Sequence, residues 1–236
     1  MRVTTEEPVE GSFLAQLRPS EREALRAAGT ERGYRTGTVL FHQGDPSRHV
    51  LILLSGWVKA AASSRQGWEA LLAIRGAGDI VGELSALDGQ PRLATVTTLA
   101  PVSALLLSND RLDACMAENW TIAAALLRHL AGNLRESDRR RIQFGGSNGD
   151  TRLIVLLHEL SVRHGRQTDE GVLVDLPLSQ RELAASVGVS REVAARTLRL
   201  LRTRSIIVTR RRQIVVVRPD LLKSLAGSVS LSTDRG

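Results

Sequence analysis

The apolar residues of this 236-residue chain change their period once, near Asn109, and that change limits the folds open to it. Before it come six short β-rich runs: "TVLF" (38–41), "HVLILLS" (49–55), "WVKAAAS" (57–63), "EALLAIR" (69–75), "LATVTTL" (93–99) and "VSALLL" (102–107). Turn-forming separators such as "HQGDPSR", "SG", "GAGD" and "LDGQP" divide them. Strands spaced by about 8 to 12 residues with turns between them predict an antiparallel sandwich or barrel. After Asn109 the spacing becomes helical: "NDRLDACMAE" reads as a short helix and "WTIAAALLRHLAGNLRESDRRRI" as a long one. Two patterns on a chain of this length predict two domains. Upstream of the strands, Ser20 followed by Glu23 predicts a capping box opening a short helix that Gly29 can close.

Within the long helix Ala123, Leu127, Leu130, Leu134 and Ser137 follow the 4-3-4-3 spacing of a coiled-coil seam, so a second copy of the chain can pair along it. The alternative is a helix lying on its own barrel. Ser137 breaks the seam with a hydroxyl and Asp138 adds a carboxylate, which costs stability unless each finds a partner. "FGGSNGD" (144–150) then interrupts helical order and predicts a hinge, with Asp150 able to cap the next helix, "TRLIVLLHELSVRH".

The C-terminal stretch "LSQRELAASVGVSREVAARTLRLLRTR" carries the sharpest pattern. Ser179 and Glu182 form a second capping box, one helix runs to Val187, the chain turns at Gly188, and Ser190 caps a new helix. Two helices joined by so short a turn predict a helix-turn-helix. Stepping about 100° per residue from Arg191 puts Val193, Ala194, Thr197, Leu198, Leu200 and Leu201 on one half of the second helix. Arg191, Glu192, Ala195, Arg196, Arg199 and Arg202 take the other half.

The net charge of +7 points to a polyanion, and Glu192 is the only acid between Arg191 and Arg218. Phosphates repel a carboxylate, so Glu192 has no use in a purely electrostatic clamp. It can accept from cytosine N4 in the major groove while arginines fork onto guanine, at about 1 to 3 kcal/mol of discrimination per good contact. The alternative is an exposed i,i+4 pair between Glu192 and Arg196. "SIIVTRRRQIVVV" reads as two β-rich runs around an arginine turn, a wing whose arginines, Arg212 among them, meet phosphate; solvated charge is the other reading.

Several function classes have no support. Aromatic residues at 3% argue against stacking platforms for single strands. A single cysteine, Cys115, excludes an intramolecular disulfide framework and a cysteine-only cluster, and fits a reducing cytoplasm. His42, His49, His129, His158 and His164 form neither HExxH nor a ligand cluster, so no metal is expected. The chain has no nucleophile elbow and no P-loop. The acidic N-terminus lacks an apolar signal core, and no run approaches the about 18 apolar residues that span a bilayer, so no membrane association is expected. The stretch "VGELSALDGQPRLATV" (81–96) remains, where Glu83 and Arg92 sit among apolar and turn residues. They either neutralise each other or wait for a ligand.

The motifs "GTVLFHQGDPSRHVLILLSGWVK", "GAGDIVGELSALDGQPRLATV", the long helix and "LSQRELAASVGVSREVAARTLRLL", in this order, resemble the Crp/Fnr family of transcription regulators over roughly residues 12–220. The resemblance implies an α+β fold: an N-terminal double-stranded β-helix (jelly roll) of the cyclic-nucleotide-binding kind, a long dimerisation helix and a C-terminal winged helix-turn-helix. It divides the chain at 12–118, 119–143, a hinge at 144–150, 151–222 and a disordered tail at 223–236. By the same resemblance Gly82, Glu83, Leu84, Arg92 and Leu93 face a cyclic nucleotide, cAMP first, with Glu83 on the ribose hydroxyl and Arg92 on the cyclic phosphate. Ser137 and Asp138 fall where the family contacts the base. Arg191, Glu192 and Arg196 fall at base-reading positions, supported by Gln180, Ser190, Arg199 and Arg212. A palindrome of TGTGA-like half-sites, a homodimer, RNA polymerase as a partner and no enzymatic activity are implied with them. Neither an iron-sulfur cluster nor haem is expected. A same-fold regulator that is ligand-independent, or answers to another small ligand, is the alternative.

Overall fold

The computed structural model describes residues 7–9, 11–63, 69–145, 147–174, 178–210 and 213–227, and the chain divides into two compact units, Met1–Arg135 and Glu136–Gly236. The first unit begins with a 3-10 turn, Leu14–Gln16, and α1 (Pro19–Ala28). There follow β1 (Thr30–Tyr34), β2 (Val39–Phe41), β3 (Val50–Ser55), β4 (Val58–Ser63), β5 (Glu69–Arg75) and β6 (Ile80–Val81). After these come α2 (Glu83–Asp88), β7 (Thr95–Thr98), β8 (Val102–Leu107), α3 (Asn109–Glu118) and the start of α4 (Trp120–Gly145).

The strands make two four-stranded sheets, β1-β8-β3-β6 and β2-β7-β4-β5, antiparallel throughout. Every residue of β3 is buried because both of its faces are covered. Val50, Ile52 and Leu54 pack against Phe13, Leu25, Leu112, Ile122 and Leu126 from the helices. Leu51 and Leu53 point the other way, into a cluster with Phe41, Val58 and Val96 of the second sheet. Alternation along one strand thus joins two cores, both mainly aliphatic, with Phe13 in one and Phe41 in the other.

All six predicted runs are strands. Two further strands lack a run of their own: β1, "TERGY", is mostly exposed and owes its state to pairing with β8, while β6 has two residues. Residues 83–88 carry no cap or period that predicts a helix, yet they form α2. The box expected at Ser20 and Glu23 does not form. α1 begins at Pro19, and the carboxylate of Glu21 accepts the Arg18 backbone N–H at 2.7 Å. Proline at the first helical position, where no N–H partner is needed, sets the start earlier.

The second unit holds the end of α4, then α5 (Gly149–His164), β9 (Gly165–Thr168), β10 (Gly171–Val174), α6 (Gln180–Ser186) and α7 (Arg191–Thr203). It closes with β11 (Ile207–Arg210), β12 (Gln213–Val216) and α8 (Pro219–Gly227). Its sheet runs β11-β12-β10-β9. The predicted box forms: the Ser179 hydroxyl accepts the Glu182 N–H at 3.2 Å, and Glu182 accepts the Ser179 N–H at 2.8 Å. Gly188 turns the chain at φ +62°, and the Ser190 hydroxyl accepts the Val193 N–H at 3.3 Å.

Three expectations are corrected. The break expected at 144–150 is narrower, since α4 continues to Gly145, and the cap of α5 is Asn148, which accepts the Thr151 N–H at 3.0 Å. Asp150 sits inside the first turn of α5, so it is not the cap. The tail expected to be disordered from 223 is helical to Gly227, because Leu222 is fully buried and anchors α8; residues 228–236 lie outside the described residues. Among the described residues no helix is long and apolar enough to cross a membrane.

Candidate effector pocket and nucleic-acid interface

β6 ends at Val81 and the chain turns through Gly82 at φ +87° into α2. A Cβ at position 82 would stand 2.5 Å from Arg92 Nη1 and 3.0 Å from the Phe41 ring. Glycine is therefore required twice, for its φ and for the close approach. The chain returns from α2 at Arg92, whose backbone is held by Gly44 and Asp45: Gly44 N–H donates to its carbonyl at 2.8 Å and its own N–H donates to Asp45 O at 2.9 Å.

Arg92 is only 3% exposed. Its Nε donates to Ser47 Oγ at 3.1 Å, Nη1 to Gly82 O at 2.8 Å and Nη2 to His49 O at 2.5 Å, and the guanidinium lies 3.8 Å over the Phe41 ring. Burial lowers its pKa, while Glu83 and then Asp45 pull it back up. Glu83 is half-buried at the start of α2, and burial pushes its carboxyl up against the pull of its own backbone N–H. No ion pair joins Glu83 to Arg92 among the described residues. A structural pair is therefore not what holds them. Three neutral acceptors orient the guanidinium and leave two of its five N–H groups, one on each Nη, for another acceptor. The result is a buried cation with no bonded carboxylate, an environment that favours an anion. Leu84 and Leu93, 43% and 61% exposed, border the site without contributing polar side-chain atoms. Nothing in the sequence marks Phe41, Ser47 and His49 as partners of Arg92, because they come from segments more than forty residues away.

On α4 one face enters the core through Ile122, Ala125, Leu126 and His129, with Leu130 packed at its edge. Leu127 and Leu134 of the predicted seam are 66% and 62% exposed, and Trp120, one heptad earlier, is 73% exposed. Trp120 extends the stripe by a residue whose spacing was visible in the sequence. Ser137 and Asp138 belong to the second unit and are exposed, with Asp138 3.8 Å from Arg141.

On α7, Ala194, Thr197, Leu198 and Leu201 are buried, while Arg191, Glu192, Arg196, Arg199 and Arg202 are exposed. Leu200, expected on the packed half, is 44% exposed; it lies about 110° from the centre of the buried stripe and so falls at its margin. The Glu192 carboxyl is held below its usual range by its own backbone N–H and then the Ser190 hydroxyl. The i,i+4 pair between Glu192 and Arg196 does not form among the described ion pairs. Instead Arg196 Nη2 lies 2.8 Å from Asp150 Oδ2, and the Thr197 hydroxyl donates to Asp150 Oδ1. Gln180 is exposed at the start of α6. On the wing, Arg210 is paired with Glu170 at 2.6 Å, and Arg212 lies outside the described residues. No cluster of His, Cys, Asp and Glu fit for a metal occurs among the described residues.

A β-roll with a buried arginine behind a "GEL" turn, and on the same chain a winged helix-turn-helix with a basic recognition face, define a two-domain DNA-binding transcription regulator. The cyclic nucleotide-binding domain profile matches residues 31–119 and the Crp-like helix-turn-helix domain profile matches residues 151–225. The chain belongs to the Crp/Fnr family. It is 32% identical over 182 residues to the CRP-like cAMP-activated global transcriptional regulator of Mycobacterium tuberculosis, which covers 77% of this chain and 81% of the relative. The cyclic AMP receptor protein of Thermus thermophilus is 29% identical over 191 residues, covering 81% and 85%. Among solved structures, the c-di-GMP responsive global regulator CLP of Xanthomonas campestris superposes with a TM-score of 0.73 at 26% identity, covering 84% of this chain and 99% of that one.

Proposed function

We propose that this chain is a homodimeric, sequence-specific regulator of transcription in the cytoplasm, without enzymatic activity, whose DNA binding is set by a cyclic nucleotide, cAMP first. The observation that carries the ligand is Arg92, buried, oriented by neutral acceptors and bonded to no carboxylate. Its remaining N–H groups suit a cyclic phosphate, Gly82 lets the backbone approach, and Glu83 accepts from the ribose hydroxyl. Residues 12–118 form the sensor, α4 the dimer helix, the break between α4 and α5 the hinge, and the winged helix runs from α5 through α8. The exposed stripe of Trp120, Leu127 and Leu134 supports pairing of two copies. Arg191, Glu192 and Arg196 read a TGTGA-like half-site, Gln180, Ser190, Arg199 and Arg212 hold the backbone, and RNA polymerase is the further partner. A two-fold dimer places its half-sites about 34 Å apart.

Calorimetry with cAMP on protein freed of nucleotide tests the ligand. Heat and a thermal shift are expected for the native chain, weakened in Glu83→Gln, which leaves the Arg92 bonds in place. No heat and no shift at millimolar cAMP would sink the cAMP reading. A second reading, another ligand or none, draws on Leu93, whose apolar side chain stands exposed beside Arg92, and on the charge of Asp138.

A further inference from the structure

The first turn of α5 rests directly on the recognition helix. A Cβ on Gly149 would come to 2.7 Å of Val189 and 3.3 Å of Val193, so the backbone at 149 touches both the turn and α7. The next residue, Asp150, spends both carboxylate oxygens on successive residues of α7. Oδ1 accepts from the hydroxyl of Thr197, which is fully buried, and Oδ2 lies 2.8 Å from Arg196 Nη2. The two partners differ in burial. Thr197 is buried in the core and so fixes the carboxylate, whereas the Arg196 side chain is 66% exposed. An exposed ion pair contributes little to stability, so the consequence of this one is geometric.

We propose that Asp150 is a positioning residue for base readout: anchored by Thr197, it holds Arg196 by one Nη2 N–H and leaves the other Nη2 N–H, with its neighbour on that edge of the guanidinium, oriented to fork onto a guanine. The proposal rests on the reading of Arg196 as a base contact. An arginine ordered before DNA arrives loses less freedom on binding and tolerates a misplaced partner less, so Asp150 sharpens discrimination at one base pair. Asp150 lies in the first turn of α5, two residues after its cap at Asn148, so the turn that opens α5 sets the arginine.

The test measures binding of the full-length protein to duplexes carrying each of the four base pairs at every position of one half-site, at fixed salt. Arg196→Ala, with Arg196→Lys in reserve should binding vanish, identifies the pair that Arg196 reads. Asp150→Ala is expected to lower discrimination at that same pair about fivefold to tenfold, to spare the pairs read by Arg191 and Glu192, and to have no further effect in an Arg196-substituted background. Asp150→Asn, which keeps the shape and an acceptor for Thr197, is expected to behave likewise with an unchanged melting temperature. The proposal fails if the Asp150 variants weaken all sequences equally, tighten DNA binding, or add to the Arg196 substitution. If Arg196 substitution alters no base preference, the parent reading fails as well, and the two failures are told apart by that variant alone.

Discussion

Arg92 and Gly82 show what single residues contribute. The arginine joins its own segment to two others, bonding Ser47 and His49 in the loop before β3 and Gly82 after β6, and it blocks any side chain at 82. Gly82→Ala must bear both a left-handed φ and a 2.5 Å contact with the guanidinium. It is expected to cost on the order of 1 to 3 kcal/mol in urea unfolding and to abolish nucleotide heat. His129 is a second such residue. Its Nε2 is buried without a partner, its ring lies edge-on to Phe13 at 6.4 Å, and burial, then the charge of Arg75, holds its pKa down to about 4. The unfolded chain therefore binds a proton that the folded chain refuses. Stability from this residue is complete above the unfolded pKa, near 6.5, and declines as pH falls toward 4, by on the order of 3 kcal/mol in all. His129→Leu should flatten the fall in stability between pH 7 and pH 4.5, measured by urea titration; equal slopes in the two proteins would exclude this account. At this scale the sequence was partly legible. Glu83 and Arg92 stood out as charges in an apolar stretch, but what Arg92 bonds to depended on residues brought from β2 and the loop before β3.

The helices differ in how much of themselves they disclose. α7 was readable because its apolar period is its own property, and only Leu200, at the margin of the stripe, was misassigned. The cap at Ser179 was readable for the same local reason, and Ser179→Ala is expected to cost about 1 kcal/mol in unfolding free energy. α1 starts two residues earlier than the box of Ser20 and Glu23 predicts, because Glu21 and Glu23 both lie within reach of a cap and Pro19 decides between them. β1 and β9 carry little apolar signal, since pairing with β8 and β10 makes them strands. α4 carries two faces, one of them turned into its own core and the other bearing exposed Leu127 and Leu134. Replacing both leucines with glutamate should yield monomers in sedimentation while leaving the melting temperature of the first unit unchanged, because neither side chain belongs to its core. A chain that stays dimeric would place the pairing surface elsewhere.

For the whole molecule the expectations concern DNA. Glu192→Ala should relax preference at one base pair, whereas Arg212→Ala should weaken binding to all sequences and reduce the salt slope by about 1. If both lose affinity equally on every duplex, base readout is the wrong account. Inserting half a helical turn between half-sites should cost a dimer most of its affinity, since its two recognition helices can meet the major groove only at whole-turn spacing. The number of domains, the helix-turn-helix and its two faces followed from the sequence alone, because periodicity and caps act over a few residues and need no distant partner. Tertiary structure alone decided that Glu83 and Arg92 do not pair, that Asp150 serves Arg196 and Thr197 and does not cap its helix, and that α8 closes the chain's described end. Each of those outcomes is a choice among partners far apart in sequence, and only folding brings the candidates within hydrogen-bond reach.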